Sequence, residues 1–146
     1  MEKNDAQWVD NLIWRVAKQL KKRKKVLLEE FDLTCSQYEI LAAIWKSTRD
    51  NKGVIQVTLA EKTHIDPMTT STIVRNLQKR NLVIRERGVV NTRTVEIELT
   101  ESGRKLYHLA KCQVDKMREE TYQSIDQQQI TSQLLILSNR LNKSNH

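Results

Sequence analysis

Apolar residues recur every three or four positions through most of the chain, and the places where that spacing breaks divide it into helices and one hairpin. Val9, Ile13, Val16, Leu20, Leu27 and Phe31 keep helical spacing, with Trp8, Leu12 and Trp14 widening the apolar side, which predicts one long N-terminal helix. Its apolar face needs a partner. LTCSQYEILAAIW then sets Tyr38, Leu41, Ala42 and Trp45 on one face, opens on Thr34 and Gln37 at capping-box spacing, and ends near STRDNKG. VTLAEKTHI repeats the device with Thr58 and Glu61, predicting a short helix packed through Leu59 and Ala60.

Asp66 and Pro67 follow at once and fit an N-cap and first helical position, where a missing N–H costs nothing because that donor has no helical partner. A short helix, a brief turn and a new helix is helix-turn-helix spacing. After Asn81 the period falls to two: LVIRER and TVEIEL alternate, with Val95, Ile97 and Leu99 on one face and GVVNTR as the turn. A two-stranded hairpin results, its tip carrying Arg87 and Arg93. Thr100 caps a long helix with Leu106, Leu109, Gln113 or Val114, Met117 and Thr121 along one stripe, and Asp126 caps a last one with Ile130, Leu134, Leu137 and Leu141.

The expected fold is mainly α with a small β-hairpin wing. An N-terminal helix spans 1–33, a winged helix-turn-helix 34–100, and C-terminal helices 101–146. The outer helices are amphipathic and long, so they must pack on each other or on a second copy.

Composition narrows the function. Three Gly and one Pro in 146 residues are too few for a many-turned β sandwich or barrel. Lys and Arg outnumber Asp and Glu by 25 to 18, and a pI near 9.5 favours a polyanionic partner. Cys35 and Cys112 lie far apart, with no apolar leader core near Met1, which argues against a disulfide-stapled secreted domain. No apolar run approaches the ~20 residues of a membrane span. A soluble cytoplasmic protein with no membrane partner is expected.

The stretch HIDPMTTSTIVRNLQKRN carries the functional reading. Thr and Ser are middling helix formers, yet Thr69, Thr70, Ser71 and Thr72 fill the first turns of the second helix of the helix-turn-helix. That end commonly enters the DNA major groove, where short hydroxyls reach base edges or phosphates and a Thr methyl can touch thymine. The dipole and free N–H groups there also favour phosphate. Ile73, Val74 and Leu77 are assigned to the core, and Arg75, Lys79 and Arg80 to the duplex.

The order LTCSQYEIL, VTLAEKTHID, MTTSTIVRNLQKRN, LVIRER, NTRTVEIEL and LTESGRKL resembles the MarR family of bacterial transcription regulators. The resemblance implies an interlocked helical dimerisation region, a homodimer and a pseudo-palindromic double-stranded DNA operator, most often repressed. It matches Arg85 to the family's strand Arg and assigns Arg93, its wing-tip Arg, to the minor groove; with Arg85, the residues Arg87 and Lys79 are assigned to phosphate or wing support. Asn91 stands where the family has a wing Asp, keeping a hydrogen bond but losing the charge. Asn81 stands where Gly often precedes the strand, and tolerates the left-handed conformation. Family members also bind small aromatic effectors near the first two helices, where Trp8, Trp14, Tyr38 and Trp45 lie; packing is the commoner use of such rings.

KKRKK at 21–25 spreads around more than one turn and reads as a solvated face before it reads as a phosphate stripe. Cys35 follows the Thr34 cap, where a helix dipole lowers a thiol pKa, making it a candidate redox residue against the reading of a small buried Cys. His64, His108 and His146 lack metal-ligand spacing. Neither a phosphate loop nor a nucleophile motif is present, so no enzyme, metal or cofactor is expected. Two other readings stand beside the DNA regulator: a winged-helix protein-interaction module, and a regulator switched through Cys35.

Overall fold

The computed structural model describes residues 5–48, 53–88 and 91–144. Parts of the two predicted turns STRDNKG and GVVNTR, and His146, lie outside the described residues. The elements in order are α1 (Ala6–Glu29), α2 (Cys35–Ser47), β1 (Val54–Ile55), α3 (Gln56–Thr63), α4 (Pro67–Lys79), β2 (Val83–Arg87), β3 (Val95–Leu99), α5 (Glu101–Tyr122) and α6 (Gln127–Ser144). This is the mainly helical winged helix-turn-helix that the spacing predicts.

The predicted caps hold in four places. Thr34 and Gln37 form a reciprocal capping box at α2, and Asp66 accepts the Thr69 N–H at α4 with Pro67 at the first position. Thr100 Oγ1 accepts the Gly103 N–H at 2.9 Å, and Asp126 the Gln129 N–H at 3.0 Å. The second capping box does not form. Helix α3 begins at Gln56 with no side-chain cap, because β1 delivers the chain straight into the helix, and Thr58 is already its third residue.

The wing is a three-stranded antiparallel sheet, ordered β1-β3-β2, where the alternation predicted two strands. Val54 pairs Ile97 across the added edge, and Val83 pairs Leu99 in the hairpin. A two-residue strand is too short to show a period. Asn81 turns the chain into β2 with φ 59°, as its tolerance of the left-handed region allows. The return of the sheet onto α5 is close: a Cβ at Gly103 would collide with the Leu82 carbonyl, so only glycine fits there.

The chain divides into two compact units, 1–113 and 114–146. In the first, Ile40, Leu41, Ile44, Leu59, Val74, Leu77, Ile97 and Tyr107 are fully enclosed. The buried side of α5 runs through Tyr107, Ala110, Val114 and Met117. The predicted stripe is therefore corrected in its first half, since Leu109 faces solvent and Tyr107 takes the core position. On α6 the apolar residues Ile130, Leu134, Leu135, Ile136 and Leu141 stay exposed, as do Val9, Leu12, Ile13, Trp14 and Val16 on α1.

Candidate nucleic-acid interface

Helix α3 ends where the Thr63 hydroxyl bonds back to the Leu59 carbonyl at 2.7 Å, and His64 takes a left-handed conformation, φ 57°. Ile65 and Asp66 then lead directly into α4. Helical rotation of 100° per residue turns Thr70, Ile73, Val74 and Leu77 inward, and all four are buried. The outward stripe opposite them is Met68, Thr72, Arg75 and Lys79, each exposed.

Of the four hydroxyls read as groove contacts, Thr70 is withdrawn. It is fully buried, and its Oγ1 donates to the Ile65 carbonyl at 3.3 Å, so it ties α4 to the turn before it. The run looked uniform, yet four successive helical residues span most of a turn and one must face the core. Thr69 and Thr72 are exposed and Ser71 is half-buried. Thr69 donates to Asp66 Oδ2 at 2.6 Å, and Thr72 to the Met68 carbonyl at 3.2 Å. Their hydroxyl protons are engaged, while oxygen lone pairs remain available as acceptors.

Asp66 alters the electrostatics of this end. Hydrogen bonds from the Thr69 hydroxyl, then from its backbone N–H, hold the carboxyl below its ordinary pKa. A carboxylate therefore sits where the helix dipole would otherwise attract phosphate, correcting the expectation of a phosphate site at this terminus.

Arg75 and Lys79 are free to face a duplex, but Arg80 is not. Its guanidinium donates to the Asp32 carbonyl at 2.7 Å and the Phe31 carbonyl at 3.4 Å, and lies 3.9 Å from the Asp32 carboxylate. It fastens α4 to the turn between α1 and α2.

On the wing, Arg85 lies on the inner face opposite Ile97 and donates from Nε to Gln56 Oε1 at 3.3 Å, bracing β2 against the start of α3. Arg87 ends β2 and is exposed. Arg93 is exposed beyond it, and its backbone N–H is held by Asn91 Oδ1 at 3.0 Å. Asn91 thus orders the turn through the backbone, a bond that needs a side-chain oxygen but no charge.

Cys35 is half-buried, and its thiol donates to the Lys21 carbonyl at 3.5 Å. Burial pushes its pKa up, against the opposing pull of Lys24 and then Lys21. That reverses the direction expected from its place at the helix start: desolvation outweighs the dipole and the two ammonium groups. The thiol borders an open groove of about 800 Å³ lined by Lys21, Lys25 and Lys79, among others. Lys24 instead approaches Glu39 at 3.9 Å, so KKRKK is split between surfaces.

The aromatic residues take two sets of partners. Tyr38 and Trp45 lie against Tyr107, at ring separations of 5.7 and 6.3 Å, and Trp45 meets His108 edge-on at 4.5 Å. Trp8 and Trp14 carry Arg15 and Lys18 over their rings.

The profile of the SarA/Rot transcriptional regulators matches residues 22–109, a span from α1 into α5 that takes in the whole wing and both helices of the motif. The chain belongs to the SarA/Rot family of transcriptional regulators. A relative named an uncharacterized HTH-type transcriptional regulator, YhbI of Bacillus subtilis, is 34% identical over 113 residues, covering 75% of this chain and 71% of that one. The fold matches a MarR-family transcriptional regulator from Rhodococcus sp. RHA1, with TM-score 0.77 and 24% identity over 93% of this chain and 94% of that one. It also matches Staphylococcus aureus MepR in a complex with DNA, with TM-score 0.79 and 25% identity over 92% of this chain and 96% of that one. This SarA/Rot-family chain is accordingly a transcription regulator, with the winged-helix fold of that MarR-family structure, and not an enzyme.

Among its described residues, no helix is long and apolar enough to cross a membrane. Sequence reasoning passed over one residue of the outward stripe and misplaced another. Met68 gave no compositional signal, but its position two residues after Asp66 and four and seven residues before Thr72 and Arg75 marks it as outward-facing; Arg80, assigned to the duplex, is held by Asp32 and Phe31 instead.

Proposed function

We propose that this protein binds a pseudo-palindromic double-stranded DNA operator as a homodimer and represses transcription there. The observation that carries the reading is the outward stripe of α4, where Thr72, Arg75 and Lys79 are exposed together and backed by a buried face. Thr69 and Ser71 flank that stripe. Arg93 is the minor-groove residue, Arg87 contacts phosphate, and Arg85 supports the wing. The DNA complex of MepR, a chain of the same fold, supports DNA as the partner, and the general geometry of the helix-turn-helix puts α4 in a major groove.

Dimerisation is proposed through α1, α5 and α6, whose apolar side chains on α1 and α6 stand half-exposed. Covering one such side chain contributes about 1 kcal/mol, half the value for full burial, so several together can hold two copies. Two copies present two recognition helices, and a palindromic operator follows from that symmetry. A small aromatic effector would act by binding more tightly to a dimer whose helix spacing does not fit successive grooves, drawing the population away from DNA.

The test is binding of the purified protein to labelled DNA from upstream of its own gene, with random-sequence competitor, across a salt series. Binding that survives competitor and falls steeply with salt is expected, and footprinting then yields the operator. Binding erased by competitor, here and against fragments selected from the whole genome, would overturn the reading in favour of a protein-interaction module.

A further inference from the structure

Met68 is the second residue of α4, and its side chain is 81% exposed, more than any other large apolar side chain among the described residues. It heads the stripe that continues through Thr72 and Arg75, directly opposite the buried face. The groups around it are already engaged: the Thr69 hydroxyl donates to Asp66, and the Thr72 hydroxyl donates to the carbonyl of Met68 itself. The Asp66 carboxylate, which accepts from the Thr69 hydroxyl and backbone N–H, puts a negative charge at the same end of the helix and so disfavours phosphate there.

The leading tip of α4 therefore offers a duplex few free donors and no phosphate cradle. What it projects is an unbranched thioether, flexible and apolar, with no hydrogen-bond donor. The major groove displays one apolar group at its base edges, the 5-methyl of thymine. Resting on the DNA reading above, we propose that Met68 reads a thymine in each operator half-site through that methyl group.

The test isolates a single methyl. Operator duplexes selected from random DNA by the full-length protein are resynthesised with uracil replacing each thymine in turn, which deletes the methyl and leaves the pairing and the O4 acceptor in place. One position per half-site should weaken wild-type binding about fourfold, the loss expected for one buried methyl group. Met68→Ala, which removes the contact in both half-sites of the dimer, should bind the thymine operator about sixteenfold more weakly and be indifferent to uracil at that position, while Met68→Leu should keep the discrimination. Because the side chain is solvent-exposed, the variants should share the melting temperature of the wild type, which separates lost contact from lost fold.

Sequence-selective binding that ignores every uracil substitution would overturn the inference alone. So would a Met68→Ala protein that discriminates thymine from uracil as well as wild type. Failure to select any sequence would overturn the DNA reading, and the inference with it.

Discussion

The Arg80 guanidinium reaches back 48 residues to hydrogen-bond the Asp32 carbonyl at 2.7 Å, clamping the end of α4 to the turn that follows α1. Asp32 sits in the left-handed region, φ 53°, which helps turn its carbonyl toward the guanidinium. A residue beside the recognition helix is thus spent on holding that helix in place. Arg80→Ala should destabilise the protein by about 1–3 kcal/mol, the range for a hydrogen bond with a charged donor. Urea denaturation measures this. Unchanged stability with reduced DNA affinity would show instead that Arg80 works on the duplex.

Thr70 and Arg75 should separate cleanly as stability and binding residues. Thr70→Val keeps the shape of a buried side chain but removes its bond to the Ile65 carbonyl, costing about 1 kcal/mol of stability. Its DNA affinity, measured where both proteins are folded, should stay within about twofold of wild type, the scale of a residue that makes no contact. Arg75→Ala should do the reverse, with an unchanged melting temperature and a loss of about 1–3 kcal/mol in operator binding. A Thr70→Val protein that lost binding without losing stability would return Thr70 to the interface.

These residues show what the sequence made legible. Asp66 and Pro67 gave the start of α4 because a cap and an N1 proline act locally, through bonds within three residues. The α2 start and the Thr100 cap were read for the same reason, and β2 and β3 from their two-residue alternation. Thr70, Arg80 and the β1 edge were not, because each depends on contacts made by the folded chain. A hydroxyl turns inward only once helical rotation meets the core, an arginine turns away from DNA only when a distant carbonyl comes within reach, and Val54–Ile55 is a strand only beside β3. At Cys35 the sequence offered a dipole that lowers a thiol pKa against the reading of a small buried Cys, and burial, which only the folded chain displays, decides for the second.

The wing should depend on Arg93 more than on the residue that orders its turn. Arg93→Ala should weaken operator binding by about 1–3 kcal/mol, the worth of a groove contact, and should be sought in the fluorescence anisotropy of a labelled operator. Asn91→Ala removes the acceptor that holds the Arg93 backbone N–H at 3.0 Å. It should cost less, since the side chain proposed to meet DNA is still present on a looser turn. Equal losses in the two variants would mean that turn geometry, and not the guanidinium, carries the contact.

Cys35 should react slowly. Burial raises its thiol pKa, so at neutral pH less of it is thiolate than in an unperturbed thiol, while Cys112 is exposed. Mass spectrometry after brief iodoacetamide treatment should show Cys112 alkylated several-fold faster, with Cys35 catching up as the pH rises. The linkage has a matching sign. Folding favours the neutral thiol, so the stability this group contributes is complete below its unfolded pKa and is lost as pH climbs through the higher folded value. Faster labelling at Cys35 at neutral pH would support a regulator switched through that thiol.

Assembly provides the remaining prediction, because the proposed palindromic operator requires two copies of the winged helix. Leu134 lies on α6 among exposed Ile130, Leu135, Ile136 and Leu141, and would be covered only by another surface. Placing a charge there by Leu134→Glu forfeits the apolar contact and leaves a carboxylate to be buried whenever two copies meet, a cost of several kcal/mol that the neighbouring contacts must absorb. Sedimentation equilibrium should give the wild type a mass twice that of the 17.1 kDa chain and move the variant to monomer over the same concentrations. Since α4 is untouched, the variant should still bind a single half-site weakly, and lose the full operator's gain from joining two half-sites. A variant that stays dimeric would move the interface off this face of α6, and a monomeric wild type that bound the full operator tightly would remove the homodimer from the proposal.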